Sequence, residues 1–237
     1  MKPLFRSFEM FIRQIRSDAM LVAVFVAPLL AACMFQFGVP RIESLLCDYF
    51  NKSAILSEYY LLFDLFLSVL TPYMFCFASA MVLLTEFDEN MTTYMAVTPV
   101  GKKGYLLSRL GFPASIAFLV SLLLMQWFTL TPWKTVLIVV TCLLNCFLSI
   151  ITALFIFSNS HNRVEGLAMG KLSGLIMLGL PVPFFLFSGI QYLFSFLPSF
   201  WIAKLCLEKN MVFAIPTIAL SAIWLWALYR KFALKLA

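Results

Sequence analysis

The sequence predicts an all-α integral membrane protein with six transmembrane helices, on two observations. The first is composition: 63% of the residues are hydrophobic, only 12% are charged, and the mean hydropathy is +0.98, whereas a soluble domain is roughly half apolar and a quarter charged. The second is recurrence. Apolar runs of about 20 residues, the length of helix that crosses a hydrocarbon core, repeat along all 237 residues. They leave room for about six spans and no soluble domain between them, so residues 1–237 read as one transmembrane domain.

Residues 1–17 come first. Leu4, Phe5, Phe8, Phe11, Ile12 and Ile15 recur at helical spacing, while Arg6, Glu9, Arg13 and Arg16 take the other side. This is the pattern of an amphipathic helix lying in a membrane interface, with its phenylalanines among the acyl chains; a frayed basic tail is the other reading. Leu30-Ala31-Ala32-Cys33 has the form of a lipoprotein cleavage site, but cleavage there would discard the first span, and an uncleaved start is the expectation.

The first span is expected over 18–37, kinked at Pro28 and ended by Gly38 and Pro40. Residues 41–57 carry Arg41, Glu43, Asp48 and Lys52 and read as an external loop with room for one short helix. The second span, 58–84, contains Asp64 and Pro72, and a polar connection, 85–104, follows it. The third, 105–128, holds Pro113, and Thr131-Pro132-Trp133 turns the chain into the fourth, 134–157. A loop over 158–171 precedes the fifth span, 172–190, which passes Pro181 and Pro183. Residues 191–210 are too short and too broken by Pro198, Lys204, Glu208 and Lys209 to span, and are expected as an external re-entrant segment. The sixth span, 211–229, ends in Trp224, Trp226 and Tyr229 as interfacial residues, followed by Arg230, Lys231 and Lys235.

Orientation follows from the basic residues. The side with both termini holds twelve, Lys2, Arg6, Arg13, Arg16, Lys102, Lys103, Arg109, Arg163, Lys171, Arg230, Lys231 and Lys235; the other holds five, Arg41, Lys52, Lys134, Lys204 and Lys209. The positive-inside rule puts both termini in the cytoplasm of a plasma-membrane protein. The net charge of +6 sits at the ends of apolar segments and forms no solvated stripe, so nucleic acid is not expected as a partner.

Catalytic and metal constellations are missing from the sequence. The stretch 166–173 has the wrong spacing for a nucleotide-binding loop, with Leu172 after Gly170-Lys171. The single histidine, His161, lies in a loop without ligands at metal spacing. Six cysteines show no C-x-x-C pairing, and only Cys47 and Cys206 are expected outside the membrane on one side, where a disulfide would require an oxidising face. Within the spans, Asp64 has two open readings, a pathway group or a side chain reaching the headgroups. Gln36, Gln126 and Asn145 either join helices or line a substrate path.

The most informative stretch is the connection 85–104. Glu86, Asp88 and Glu89 favour a helix N-terminus, Met91, Tyr94, Met95 and Val97 supply an apolar side, and Thr98-Pro99 stops the helix. The alternatives are a short helix suited to a partner's groove and a plain loop. The acidic start, the Thr98-Pro99-Val100 step and the continuation from Lys102 to Arg109 resemble the coupling loop of type-2 ATP-binding-cassette exporter permeases. The resemblance extends to the layout of the whole chain: elbow helix, six spans, coupling loop, external hairpin before the last span. It implies a non-enzymatic permease paired with a second permease, identical or homologous, and with two ATPase subunits, which would bind the ATP and magnesium; this chain would bind no cofactor. Glu86, Asp88, Glu89, Met91, Thr92, Tyr94, Thr98 and Pro99 would face the ATPase, and Arg6, Phe8, Arg13 and Arg16 would seat the elbow. The cargo would be a drug, peptide or amphiphile. An ion-coupled secondary transporter would need a central coupling site, and an intramembrane enzyme a catalytic set; the sequence offers neither.

Overall fold

A computed structural model describes residues 2–89, 104–105 and 107–235, with side chains from Phe8 onward; among these residues all regular elements are helical. Helix α1 spans Lys2–Ser17. Phe11 and Ile15 on one side are buried, while Arg13 and Arg16 on the other are exposed. The chain turns at Asp18, in extended conformation, whose carboxylate caps α2 (Ala19–Cys33) by accepting from Met20 N at 2.9 Å and Leu21 N at 3.4 Å.

The first span does not end where glycine and proline suggest. After α2 a π-helical turn, Met34–Gly38, leads directly into α3 (Val39–Phe50), so that Ala19–Phe50 is one helical rod of 32 residues. Pro40 has no N–H to offer, and the widened turn just before it, in which Val39 N donates to Met34 O, absorbs the mismatch. The expected external loop is therefore helical up to Asn51, whose left-handed φ of 52° ends α3.

Helix α4 (Tyr60–Asp88) is the axis of the bundle, packed between α5 (Phe112–Trp127), α6 (Thr135–Asn159) and α2. Pro72 in its middle leaves the Ser68 carbonyl without its helical donor. Ser121 of α5 donates its hydroxyl to that carbonyl at 3.2 Å, and Asn145 of α6 donates Nδ2 to the Ser68 hydroxyl at 2.8 Å. A helix break that would be costly in lipid thus becomes a joint between three helices. Small residues, Ala78, Ser79 and Ala80 of α4 and Ser149, Thr152 and Ala153 of α6, are all fully buried and allow close approach.

Among the described residues five helices are long and apolar enough to cross a membrane: Ala19–Phe50, Ser57–Asp88, Leu107–Trp127, Thr135–Asn159 and Met211–Lys235. The expected fifth span of six is broken. Helix α7 (Arg163–Ser173) passes into a 3-10 stretch, Gly174–Gly179, and a single turn, α8 (Val182–Phe185). The prolines at 181 and 183 interrupt the bonding ladder, and Gly179 lies so close to α9 (Pro198–Glu208) that a Cβ there would stand 2.6 Å from the Phe200 backbone nitrogen. Ser199 donates to Ile176 O at 2.6 Å across the same contact.

Residues 191–210 are no loose loop. The 3-10 segment Gly189–Phe194 precedes α9, whose residues from Pro198 to Cys206 are buried apart from Trp201, which is half-buried. Lys204 donates to the Tyr192 hydroxyl at 2.6 Å, with Glu208 at 3.5 Å and the Tyr192 and Phe213 rings beneath it at 4.4 and 5.3 Å. Cys206 faces the bundle with its Sγ 3.2 Å from Thr141 Oγ1, so it is not exposed beside Cys47; both are free thiols. The last helix, α10 (Ala214–Lys235), runs back to the end where α1 lies: Lys235 Nζ donates to Phe157 O at 2.6 Å and also to Ser160 O, at the end of α6.

Candidate functional site

The ends of α1, α4, α6 and α10 and the start of α5 converge where most of the basic residues are. Glu86, in the last turn of α4, is 2% exposed, and Arg109, in the π-helical turn Leu107–Gly111 that opens the α5 rod, is wholly buried. Arg109 grips the carboxylate with two donors, Nε to Oε2 at 2.9 Å and Nη2 to Oε1 at 2.5 Å. Tyr105 adds its hydroxyl to Oε2 at 2.7 Å. Burial above all, and then the Glu86 carboxylate beside it, push the Tyr105 phenol well above its ordinary value, so it stays a donor.

Helix α1 closes this site from the side. The Arg109 guanidinium lies 5.6 Å from the Phe11 ring and 5.7 Å from the Tyr105 ring, and Phe8 packs on Phe112 at 5.3 Å. The two helices flanking the 85–104 connection and α1 thus meet around one buried, bidentate ion pair.

A second junction adjoins it. Arg163 donates Nη2 to Asp18 Oδ2, and its backbone N–H donates to Asp88 Oδ2 at 3.2 Å. Asn162 caps α7 by accepting from Glu165 N at 2.8 Å, while Glu165 accepts from His161 N at 2.7 Å, a reciprocal cap that fixes where Arg163 sits. Desolvation pulls the Asp18 carboxyl upward, but the Arg163 bond and the two α2 amides outweigh it and hold Asp18 below its usual value. Lys231 donates to Asn159 Oδ1 at 2.5 Å, adding the end of α10.

Between the junctions lies an open polar cleft. Gln14 and Ser17 of α1 face Glu89 across it, with Arg13 and Arg163 at its two ends, and its two lobes measure about 390 and 420 Å³. Asp88 and Glu89 are exposed at the end of α4. Glu86 is not: its carboxylate is turned inward onto Arg109, because an acid at that depth is stable only when paired. Met91, Thr92, Tyr94, Thr98 and Pro99 lie outside the described residues, as does the side chain of Arg6.

The family model described as "Fluoroquinolones export permease protein Rv2686c-like" matches residues 11–229. The chain belongs to this family of export permeases. The matched stretch takes in Phe11, Asp18, Glu86, Arg109 and Arg163, and therefore both junctions. Two relatives are fluoroquinolones export permease proteins of Mycobacterium tuberculosis, strains CDC 1551 / Oshkosh and ATCC 25618 / H37Rv. Each is 24% identical, over 94% of this chain and 91% of its own length. No solved structure matches. Membership agrees with the resemblance of the sequence to exporter permeases.

The polar residues expected along the spans of the permease are dispersed. Asp64 is 1% exposed and accepts four hydrogen bonds from one turn: Leu130 N at 2.8 Å, Thr131 N at 3.0 Å, Thr131 Oγ1 at 2.5 Å and Trp133 Nε1 at 2.9 Å. Gln36 reaches the same turn, its side-chain amide 3.2 Å from Phe128 O and 3.3 Å from Thr129 O. Gln126 is exposed. Asn145 is fully buried, with Nδ2 on Ser68 and Oδ1 without a hydrogen-bond partner among the described residues. Sequence reading missed Arg109 and Tyr105 as partners of Glu86. Their signal was a cation and a phenol beside an apolar run, facing an acid across one connection.

Proposed function

We propose that this chain is the membrane subunit of an ATP-driven exporter and that the junction of Glu86, Arg109, Tyr105 and Phe11 takes up the motion of a separate ATPase. The single observation that carries the reading is the buried bidentate pair: it ties both helices leaving the 85–104 connection to the elbow, so a push on that connection moves three elements together. The exposed Asp88, Glu89 and Arg13 around the adjoining cleft supply a polar face for the ATPase, which would hold the ATP and magnesium. The basic end is the cytoplasmic one under the charge bias, and the broken helix from Arg163 to Phe185 supplies a sixth crossing that returns the C-terminus to it. The elbow lies in the interface there, and the segment 191–210 is the external hairpin.

Transport requires two states. ATP closure of two ATPases would draw the paired connections of two permeases together, and the joints at Ser68, Ser121 and Asn145 would pass that tilt along α4 to its far end. The cargo is an amphiphilic drug of the kind the relatives are named for. Inverted vesicles containing the permease and a cognate ATPase should accumulate a fluoroquinolone only with ATP and only while the ATPase is catalytically intact. Uptake by the permease alone, driven by an ion gradient, would overturn the reading.

A further inference from the structure

An apolar groove opens sideways from the bundle between α5, α6 and α10 at the basic end. Leu107, Leu154, Leu225 and Trp226 line its volume of about 480 Å³, and Tyr229 stands at its end. A second groove, of about 460 Å³, shares Gly111 and Ile150 with the first and continues along α5 and α6 to Leu119 and Leu143. From Leu107 to Leu119 the pair runs about 18 Å of helix rise, close to the roughly 15 Å of one leaflet's hydrocarbon. Its depth and near-total lack of polar lining suit one acyl chain.

The headgroup end has a charge to match. Arg230 stacks its guanidinium 5.0 Å above the Trp226 ring, at the mouth of the groove. Lys231 is tied to Asn159 and Lys235 to the carbonyls of Phe157 and Ser160. Among the described residues Arg230 has no ion pair, and an exposed, aromatic-stacked guanidinium presents a planar fork to a phosphate. Tyr229 and Trp226 mark this as headgroup depth. We infer that the groove holds one acyl chain of an anionic phospholipid from the leaflet at the basic end, with its phosphate on Arg230. The inference needs neither the ATPase nor a cargo.

Trp226 makes the site measurable. The permease is reconstituted in symmetric phosphatidylcholine vesicles doped with phosphatidylglycerol or phosphatidylcholine brominated at mid-chain, and the Trp226 component of fluorescence is taken as the difference from Trp226→Phe. Brominated phosphatidylglycerol should associate about fivefold more strongly than brominated phosphatidylcholine, the size expected of one basic residue at an anionic surface. Arg230→Gln, at an exposed position, should bring the ratio to about one. Leu107→Phe, which fills the groove from an exposed site, should reduce quenching by both lipids. Equal quenching by the two lipids in the unaltered protein, a preference that survives Arg230→Gln, or undiminished quenching in Leu107→Phe would each overturn the assignment.

Discussion

Helix α4 buries an acid at each end, and the two are stabilised by different means. Asp64 is surrounded by neutral donors from a single turn, three of them N–H groups and one a hydroxyl, with no ion pair among the described residues. Glu86 is held by a guanidinium and a phenol from a separate helix. The 22 positions between them correspond to about 33 Å of helix, close to the roughly 30 Å of a hydrocarbon core, so each acid sits near one interface. Asp64 ties one end of α4 to the single turn that joins α5 to α6. Glu86 joins the two helix ends that flank the 85–104 connection. Neutral dipoles fix a loop; a charge pair links helices, and removing half of it strands the other half.

That difference predicts the largest effect. Glu86→Ala leaves Arg109 buried without its carboxylate and should cost about 3–5 kcal/mol, read as a large drop in thermal unfolding temperature in detergent. The double variant Glu86→Met with Arg109→Met should recover most of that loss, because the uncompensated charge is gone, yet should transport poorly if the pair is a strut. Full transport by the double variant would reduce the junction to a packing device. Asp64→Ala comes second, at about 1–3 kcal/mol for donors left unpaired, with proteolysis appearing at residues 129–133 while transport persists. A cost for Asp64→Ala equal to that for Glu86→Ala would break the contrast.

Much of this architecture was legible beforehand, for definite reasons. Apolar runs fix α4, α6 and α10 because lipid demands long helices that satisfy their own backbones. Helix α1 was visible in the spacing of Phe8, Phe11 and Ile15, and the same helical period turns Phe11 and Ile15 inward. The sequence misled where proline and glycine have two meanings. Pro40 reads as a stop, but a π-turn lets the helix continue. Gly179, Pro181 and Pro183 lie in an apolar run that reads as a plain span, whereas close contact with Ser199 and Phe200 and the lost N–H groups break it. The acids were found as residues and not as pairs, since Asp64 meets its partners 66 to 69 positions away and Glu86 meets Arg109 across 23. No periodicity encodes such distances.

The pair of Asp18 and Arg163 sharpens the comparison from the other side, since it has the chemistry of Glu86 and Arg109 without the burial. Its side chains are 21% and 34% exposed, and an ion pair in reach of water contributes at most about 1 kcal/mol. Arg163→Gln should therefore shift unfolding least of the three, and the shift should shrink in high salt, as that of Glu86→Ala should not. The sign of its pH dependence is fixed by Asp18, whose carboxyl is held low in the folded chain. The stabilisation is fully present above the ordinary carboxylate value of about 4 and is lost as pH falls through the lower folded value. Unfolding temperatures of the unaltered protein and of Arg163→Gln should differ by a constant amount near neutrality and converge below about pH 4. A gap that stayed open in acid would mean that Arg163 acts through its backbone bond to Asp88 and the cap of α7, and that charge at this end matters only where it is buried.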